Sequence, residues 1–168
     1  MMRLLHNIGP RINSNYNTPE EISACDDLLS FDGVYLNVYE NQHVLLGKKV
    51  GFFVMGNYVG GDNSFDKGQK LEKYCTWEQI HEMAKNLNAW IGWHGWAHKD
   101  LTQLSDNEVR REIKPPFPMT LLAYPYGKVD ARVEAIAREM GYLEAWSVGA
   151  AQGADGSDLR QFRSYLNW

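Results

Sequence analysis

The sequence predicts an α/β fold, in which β-strands and α-helices alternate along one chain. Three observations predict it: short apolar runs of strand length recur, segments with helix-capping signals or an amphipathic stripe lie between them, and polar loops follow several of the runs. Such alternation implies parallel βαβ units, arranged either as an open sheet or as a barrel. A length of 168 residues favours one domain over residues 1–168, with residues 1–26 set apart as an N-terminal extension.

The predicted strands are apolar runs bounded by turn residues. A first short strand is expected at residues 3–8, before a Gly-Pro turn and an Asn/Ser-rich loop at residues 13–18. The other strands follow in chain order at residues 27–31, 50–55, 89–93, 120–123, 142–148 and 162–168. Residues 56–74 and 149–158 are predicted loops, and the first is long enough to suggest a functional role.

The predicted helices begin at recognisable capping signals. Thr18 is followed by Pro and two acidic residues, while Thr76 and Ser105 each open a capping box. These signals start helices after residue 18, after residue 76 and at residues 105–113, and apolar spacing adds helices at residues 35–46 and 129–140.

Polar side chains follow three of the predicted strands directly. Asp32 directly follows the run at residues 27–31. His94 and His98 follow residues 89–93, and a Tyr-Pro-Tyr-Gly turn follows residues 120–123. Because the carboxyl ends of parallel strands gather at one face of the sheet or barrel, we expect these groups to form one site.

His94 and His98 are the candidate metal ligands. A four-residue spacing places two side chains on one side of a helical turn, and neutral imidazoles at that distance can share a metal ion. The spacing alone is a weak signal, since one histidine can cap a turn while the other lies on the surface. The position of the pair after a strand, beside other polar groups, strengthens the metal interpretation.

Composition excludes some functions. The formal charge is −4 and basic residues form no cluster, which argues against a nucleic-acid partner. No apolar run reaches the ~20 residues of a membrane span, and no signal peptide is visible, so a cytoplasmic location is expected for the chain as written. Six Trp and nine Tyr favour a carbohydrate partner, because aromatic faces stack on sugar rings. Cys25 and Cys75 match no metal or redox motif.

Three stretches together resemble a known family. They are Ser-Phe-Asp-Gly-Val at residues 30–34, His-Gly-Trp-Ala-His-Lys-Asp-Leu-Thr at residues 94–102, and Tyr-Pro-Tyr-Gly at residues 124–127. In order and spacing they resemble the motifs of polysaccharide deacetylases of the NodB-homology type, carbohydrate esterase family four. The resemblance implies a distorted parallel (β/α) barrel with fewer than eight strands. It also implies hydrolysis of N-acetyl (or O-acetyl) groups on a carbohydrate, with a divalent metal: Zn²⁺ first, Co²⁺ or Ni²⁺ as alternatives.

The resemblance also implies roles for individual residues. His94 and His98 bind the metal, a carboxylate takes a proton from water, and the backbone N–H of Tyr126 stabilises the oxyanion. The expected substrate contacts are Trp96, Tyr124 and Pro125. His6 and Asp100 are weaker candidates for the same pocket.

One departure from the family pattern leaves two alignments open. The family has two adjacent aspartates, a base and then a metal ligand, whereas this chain has only Asp32. Either Asp32 is the base and Gly33 replaces the ligand, or one aspartate is deleted, Gly33 is the motif's own glycine and Asp32 is the ligand. In addition, no histidine stands near the C-terminus, where the family has its general acid, and Ala123-Tyr124 replaces the arginine that often precedes Pro-Tyr-Gly.

Two other functions remain as alternatives. The incomplete aspartate pair is compatible with a deacetylase-fold protein that binds a carbohydrate without chemistry. The same rim of side chains also suits hydrolysis of a different, non-peptide C–N bond. The sequence assigns neither the glycan nor an oligomeric state.

Overall fold

A computed structural model describes residues 1–10, 15–149 and 155–166, and it is built around a closed parallel barrel. Within these residues the strands are β1 Met2–Leu5, β2 Asn7–Ile8, β3 Tyr16–Asn17, β4 Leu28–Asp32, β5 Val50–Val54, β6 Trp90–Trp93, β7 Leu121–Ala123, β8 Glu144–Val148 and β9 Gln161–Tyr165. The helices are α1 Pro19–Ser23, α2 Leu36–Glu40, α3 Trp77–Leu87, α4 Asp106–Glu112 and α5 Ala131–Glu139.

Seven strands close the barrel in the order β1-β4-β5-β6-β7-β8-β9, and β9 returns to pair with β1. All neighbouring pairs are parallel, and β2 and β3 form a separate two-stranded pair beside the barrel. The expected distorted barrel with fewer than eight strands is therefore confirmed, and the open-sheet alternative is excluded. β6 and β7 share a single pair of facing residues, Trp93 with Leu122.

Most predicted elements recur with shifted ends. The strand expected at residues 3–8 is wrong in extent, because β1 belongs to the barrel and β2 to the separate pair, and the loop expected at residues 13–18 contains β3. Thr18 and Thr76 cap α1 and α3 through complete capping boxes, as expected. The helix expected at residues 35–46 is wrong, because α2 stops at Asn41 and a separate 3-10 helix, Gln42–Leu45, follows. Asn41 has the non-helical dihedrals φ −107° and ψ 17°, and its side chain donates to the Asn37 carbonyl at 2.8 Å, which satisfies that carbonyl locally.

Some predicted segments fall partly outside the described residues. These are the loop at 13–18, where residues 11–14 are not described, the loop at 149–158, where residues 150–154 are not described, and the strand at 162–168, where residues 167 and 168 are not described. Across the part of the chain that is described, no helix combines the length and apolar character that a membrane crossing requires.

Two apolar regions hold the barrel together. The larger lies between the strands and the surrounding helices, where residues such as Leu29, Val38 and Ile80 are fully buried. The smaller lies inside the barrel and consists of Met2, Phe53, Ala123 and Trp146. Strand residues alternate between these two regions because successive side chains point to opposite faces.

The floor of the barrel, at the amino ends of the strands, contains a cavity of about 190 Å³. Gly51 on β5 and Gly92 on β6 both line it, but their surroundings differ. A Cβ atom on Gly92 would lie 2.6 Å from Phe53 Cε1 and 3.0 Å from the Leu121 carbonyl oxygen, whereas one on Gly51 would meet nothing closer than 3.7 Å. Phe53 therefore fills the space that a side chain at position 92 would need.

These two glycines give a matched stability test. Gly92→Ala should lower the free energy of unfolding by about 1–3 kcal/mol, because the added methyl overpacks against Phe53 and a fixed carbonyl. Gly51→Ala should change it by less than about 0.5 kcal/mol, since its methyl makes only ordinary van der Waals contacts with Phe53 and Trp90. Urea unfolding of both variants measures the difference, and equal effects at the two positions would contradict this account of the barrel floor.

Candidate active site

The candidate site lies at the opposite end of the barrel, where the carboxyl ends of the strands meet. Asp32 ends β4, His94 follows β6, and His6 follows β1. The β1–β4 register pairs Leu5 with Phe31, so one more residue along each strand brings His6 beside Asp32. Neighbouring residues on adjacent parallel strands point to the same face, and the three side chains therefore share the barrel mouth.

Arg163 is the unexpected member of the site. It belongs to β9 at the level of Met2, but its side chain extends along the barrel interior to Asp32. Its two terminal nitrogens donate to the two carboxylate oxygens of Asp32 at 2.6 and 2.8 Å, and one also donates to Ser30 Oγ at 3.3 Å. Asp32 is 4% exposed and Arg163 2% exposed, so this is a buried bidentate ion pair.

The ion pair decides the charge of Asp32. Burial by itself would raise the pKa of Asp32, but the guanidinium of Arg163 and the nearby imidazoles outweigh burial and hold that pKa well below its usual range. Asp32 is therefore a fixed carboxylate anion at neutral pH.

His94 is oriented by a backbone carbonyl. Its Nδ1 lies 2.7 Å from the Ala123 carbonyl oxygen, which can only accept, so Nδ1 carries the hydrogen. Burial lowers the pKa of His94, which leaves Nε2 as a lone pair 3.3 Å from Asp32 Oδ2. Asp32 Oδ2 is itself an acceptor, already bound by Arg163, so it offers no hydrogen to Nε2.

His98 reaches the same place from a loop. The expectation that His94 and His98 share a helical turn is wrong, because the chain between them is irregular and has φ +84° at Gly95 and +53° at His98. The two imidazole centroids are nevertheless 4.9 Å apart, and the Tyr126 ring lies 4.4 Å from His98. Burial lowers the pKa of His98 to about 3, so its ring is neutral at physiological pH.

Glu112 at the end of α4 supports this loop. Its Oε1 accepts from the Ala97 N–H at 2.6 Å, and its backbone carbonyl accepts from the Trp96 N–H at 3.1 Å and from Trp93 Nε1 at 3.2 Å. A Cβ atom on Gly95 would lie 2.9 Å from the same Oε1. The buried carboxylate thus occupies the space beside Gly95 and holds the histidine loop in place.

His6 completes the group. It shares the cleft with Asp32, His94, His98 and Tyr126, since these five residues line both of the cavities that meet there. Its Nδ1 is buried and has no hydrogen-bond partner within the described residues. Burial lowers the pKa of His6 to about 4.

The lowered pKa values predict acid-sensitive stability of the metal-free protein. His6 and His98 stay neutral in the folded state but take up protons near pH 6.5 once unfolded, so the unfolded state binds more protons between about pH 6.5 and 4. The free energy of unfolding should therefore fall with decreasing pH in that window, by about 1.4 kcal/mol per pH unit for each fully titrating group.

Urea unfolding at pH 7, 6 and 5 with a chelator present measures this slope. His98→Gln should reduce the slope by close to one proton. A slope that is the same in wild type and His98→Gln would contradict the buried, neutral state of His98.

Backbone conformation is left-handed at two successive positions after Asp32. Gly33 has φ +86° and Val34 has φ +52°, a left-handed value that is unusual for a β-branched residue. Either position therefore fits the glycine of the family motif, and both alignments of Asp32 stay open. A Cβ atom on Gly33 would lie 2.9 Å from the Tyr74 ring and 3.0 Å from Met55 Cε.

The cleft has two arms that meet at the histidines and Asp32. One arm, of about 160 Å³, runs under the loop after β5 and is lined by Tyr35, Phe65, Asp66 and Tyr74. The other, of about 460 Å³, runs toward β8 and β9 and is lined by Val148, Ser164 and Tyr165. The site is therefore a cleft open in two directions, with aromatic rings along both arms.

Four of the expected site residues lie away from the cleft lining. Trp96 packs edge-on against Trp93 and donates from Nε1 to the Lys114 carbonyl at 2.7 Å. Tyr124 is fully buried and donates to the Leu159 carbonyl at 2.9 Å, and Pro125 is also buried. Asp100 binds Lys128 Nζ at 2.6 Å and caps the turn at Thr102.

Tyr126, by contrast, stands at the mouth with 57% of its surface exposed. It adopts φ +58° between Pro125 and Gly127. Gly127 is required there, because its own φ is +67° and a Cβ atom would lie 2.7 Å from the Val148 backbone nitrogen.

Sequence reasoning missed Arg163 and Glu112. A signal for Arg163 exists in β9, where Phe162 is 47% exposed and Arg163 is buried, the reverse of the usual pattern. That reversal becomes visible only when the strand register assigns Arg163 to the interior.

The imidazole and carboxylate groups of the cleft are of the kind that bind divalent cations, but they are not arranged around one common point. Within residues 1–10, 15–149 and 155–166, no three His, Cys, Asp or Glu side chains stand where they would hold a metal ion together. Nε2 of His94 and the unpartnered Nδ1 of His6 are nevertheless imidazole nitrogens of the type that divalent cations take as ligands.

Comparison with known proteins places the fold and the motifs in one family. The family model "Polysaccharide deacetylase" matches residues 28–145. No curated protein sequence matches this chain.

Solved structures give the same fold. The Streptococcus pyogenes deacetylase PplD in complex with acetate superposes with a TM-score of 0.71 at 17% identity, over 99% of this chain and 92% of that one. IcaB from Ammonifex degensii gives 0.72 at 17% identity, over 98% and 90%. A polysaccharide deacetylase from Bacillus cereus gives 0.74 at 15% identity, over 98% of this chain but 64% of the other. At these identities the likeness concerns the fold.

Proposed function

The chain belongs to the polysaccharide deacetylase family, and we propose that it hydrolyses acetyl groups from an N-acetylated (or O-acetylated) carbohydrate with the help of a divalent metal ion, Zn²⁺ first. The observation that carries the proposal is the buried Asp32–Arg163 ion pair beside His94 and His98. A carboxylate held ionised and oriented next to two neutral imidazoles suits hydrolysis of an amide or ester by water, as general base beside candidate metal ligands.

His94 and His98 would hold the metal, since both are neutral and Ala123 fixes the tautomer of His94 with Nε2 available. When bound, the ion supplies Lewis-acid polarisation of the acetyl carbonyl and activation of water.

Asp32 is the general base in this proposal. Arg163 keeps the carboxylate ionised and fixes both of its oxygens, so the anion is aimed at the barrel mouth before substrate arrives. Asp32 accepts a proton as water adds to the acetyl carbon. Asp32 lines both arms of the cleft, and we infer that the same carboxyl group returns this proton to the departing amine or alcohol oxygen as the C–N or C–O bond breaks.

Tyr126 contributes in two ways. Its backbone N–H, held in the left-handed turn between Pro125 and Gly127, is the proposed donor to the oxyanion. Its exposed ring, 4.4 Å from the His98 ring, offers a face on which the sugar can stack. The aromatic rings along both arms of the cleft support a substrate longer than one sugar.

Acetate release tests the proposal. Purified protein, stripped of metal and then supplied with Zn²⁺, Co²⁺ or Ni²⁺, is incubated with chitin oligomers, poly-N-acetylglucosamine, xylan and peptidoglycan fragments. We expect release from at least one of them, loss of release on chelation, and loss in His94→Ala and His98→Ala. Release that survives both substitutions would exclude the metal-dependent mechanism.

The second candidate is a carbohydrate-binding protein without chemistry. The specific observation in its favour is Gly33, which lacks the carboxylate that the family uses as a ligand, and whose neighbours Tyr74 and Met55 close the space for one. Saturable binding of one of the same oligosaccharides with no acetate released at any metal concentration would support this candidate.

A further inference from the structure

We propose that His6 supplies the third metal ligand of this site and so replaces the carboxylate that the chain lacks at Gly33. The inference rests on the proposed metal-dependent function and concerns which residues build the metal site.

The first argument is position. One step beyond the last β1–β4 pair, Leu5 with Phe31, the chain sets His6 next to Asp32, on the same face of the barrel wall. His6 also lines both arms of the cleft together with His94 and His98. Three imidazoles thus enter one cleft from β1, β6 and the loop after β6.

The second argument is the unsatisfied nitrogen of His6. Its Nδ1 is buried and has no hydrogen-bond partner among the described residues, whereas Nδ1 of His94 has the Ala123 carbonyl. Buried polar atoms are nearly always paired, so an unpaired ring nitrogen at the junction of two cavities points to a ligand.

The third argument is that neither carboxylate position is available. Both oxygens of Asp32 are bound by Arg163, and a metal ion there would face the guanidinium at close range. A carboxylate at position 33 would collide with Tyr74 and Met55. An imidazole from the adjacent strand avoids both problems, and three protein ligands with an open position are the usual set for catalytic zinc.

The proposal includes one movement. The three imidazoles do not meet at a common point as they stand, within the described residues, so the His6 side chain must rotate toward His94 and His98. Three neutral ligands would not compensate the double charge of the ion, which would make it a stronger Lewis acid than an ion with a carboxylate among its ligands.

Metal binding tests the proposal independently of activity. Calorimetric titration of Zn²⁺ into metal-stripped protein, and the visible spectrum of bound Co²⁺, are measured for wild type, His6→Ala, His6→Asp, His94→Ala and His43→Ala. We expect His6→Ala to weaken Zn²⁺ binding about 100-fold or more and to alter the Co²⁺ bands. His6→Asp should restore much of the affinity, and the exposed control His43→Ala should bind as wild type does. Circular dichroism confirms that each variant is folded.

The outcomes separate this proposal from the proposed function. If His6→Ala binds Zn²⁺ as tightly as wild type while His94→Ala does not, His6 is not a ligand and the metal-dependent function stands. If binding depends on His6 but no substrate releases acetate, the metal site stands and the deacetylase function fails. If wild type binds neither ion at micromolar concentration, both proposals are overturned.

Discussion

Asp32→Asn should lower the rate of acetate release about 10³-fold while the protein remains folded. A general base contributes 10²- to 10⁴-fold in typical enzymes, and among the described residues no other carboxylate lines the junction of the two arms. Asn retains an oxygen that can accept from Arg163 but cannot take the proton from water. The loss is therefore expected in kcat, with little change in the affinity for the oligosaccharide.

Two further variants sharpen this test. Asp32→Glu keeps the charge but displaces it, and a displacement of about 1 Å can cost about 10²-fold, so this variant should also be slow. Asp26→Asn removes an exposed carboxyl group at the opposite end of β4 and should leave the rate unchanged. A rate for Asp32→Asn within a few-fold of wild type would exclude Asp32 as the base.

Arg163→Met should destabilise the protein by about 3–5 kcal/mol, because it leaves the buried carboxylate of Asp32 without a partner. Adding Asp32→Asn should recover part of that loss, since the double variant no longer buries an unpaired charge. Urea unfolding of the two single variants and the double variant gives the coupling energy. Additive effects would show that the two side chains do not interact.

Arg3→Met is the matched control. Arg3 also pairs with an aspartate, Asp27 at 2.7 Å, but both side chains are partly exposed, and such pairs contribute about 0–1 kcal/mol. Arg163→Met should in addition shift activity with pH. Without the guanidinium, burial raises the pKa of Asp32, so the acid limb of the rate profile should move to higher pH. Arg3→Met should not move it.

The order of elements and the three motifs were enough to predict the barrel and the meeting of Asp32, His94 and His98. The reasoning behind the histidine pair was wrong in detail, because a loop supported by Glu112 brings the rings together. Both a helical turn and an irregular loop can bring two histidines into contact, and a four-residue spacing does not distinguish between these conformations.

Other features depended on information that local patterns do not contain. Arg163 is more than a hundred residues from Asp32 in the sequence. The two side chains meet only because β9 pairs with β1 and closes the barrel. The left-handed backbone dihedrals at both Gly33 and Val34 are also not visible in the sequence letters. The orientation of the Trp96 indole, which donates to the Lys114 carbonyl and packs against Trp93, is likewise not contained in the sequence pattern.

The single pair of facing residues between β6 and β7 has a consequence for how firmly the barrel is closed. It is the smallest number among the seven neighbouring pairs, and it lies directly below His94 and Ala123. The hydrogen bond from the His94 ring to the Ala123 carbonyl therefore acts as an additional link across the weakest boundary of the barrel wall. Any ligand that immobilises His94 also restrains separation of β6 from β7, so occupancy of the site and integrity of the wall are thermodynamically linked.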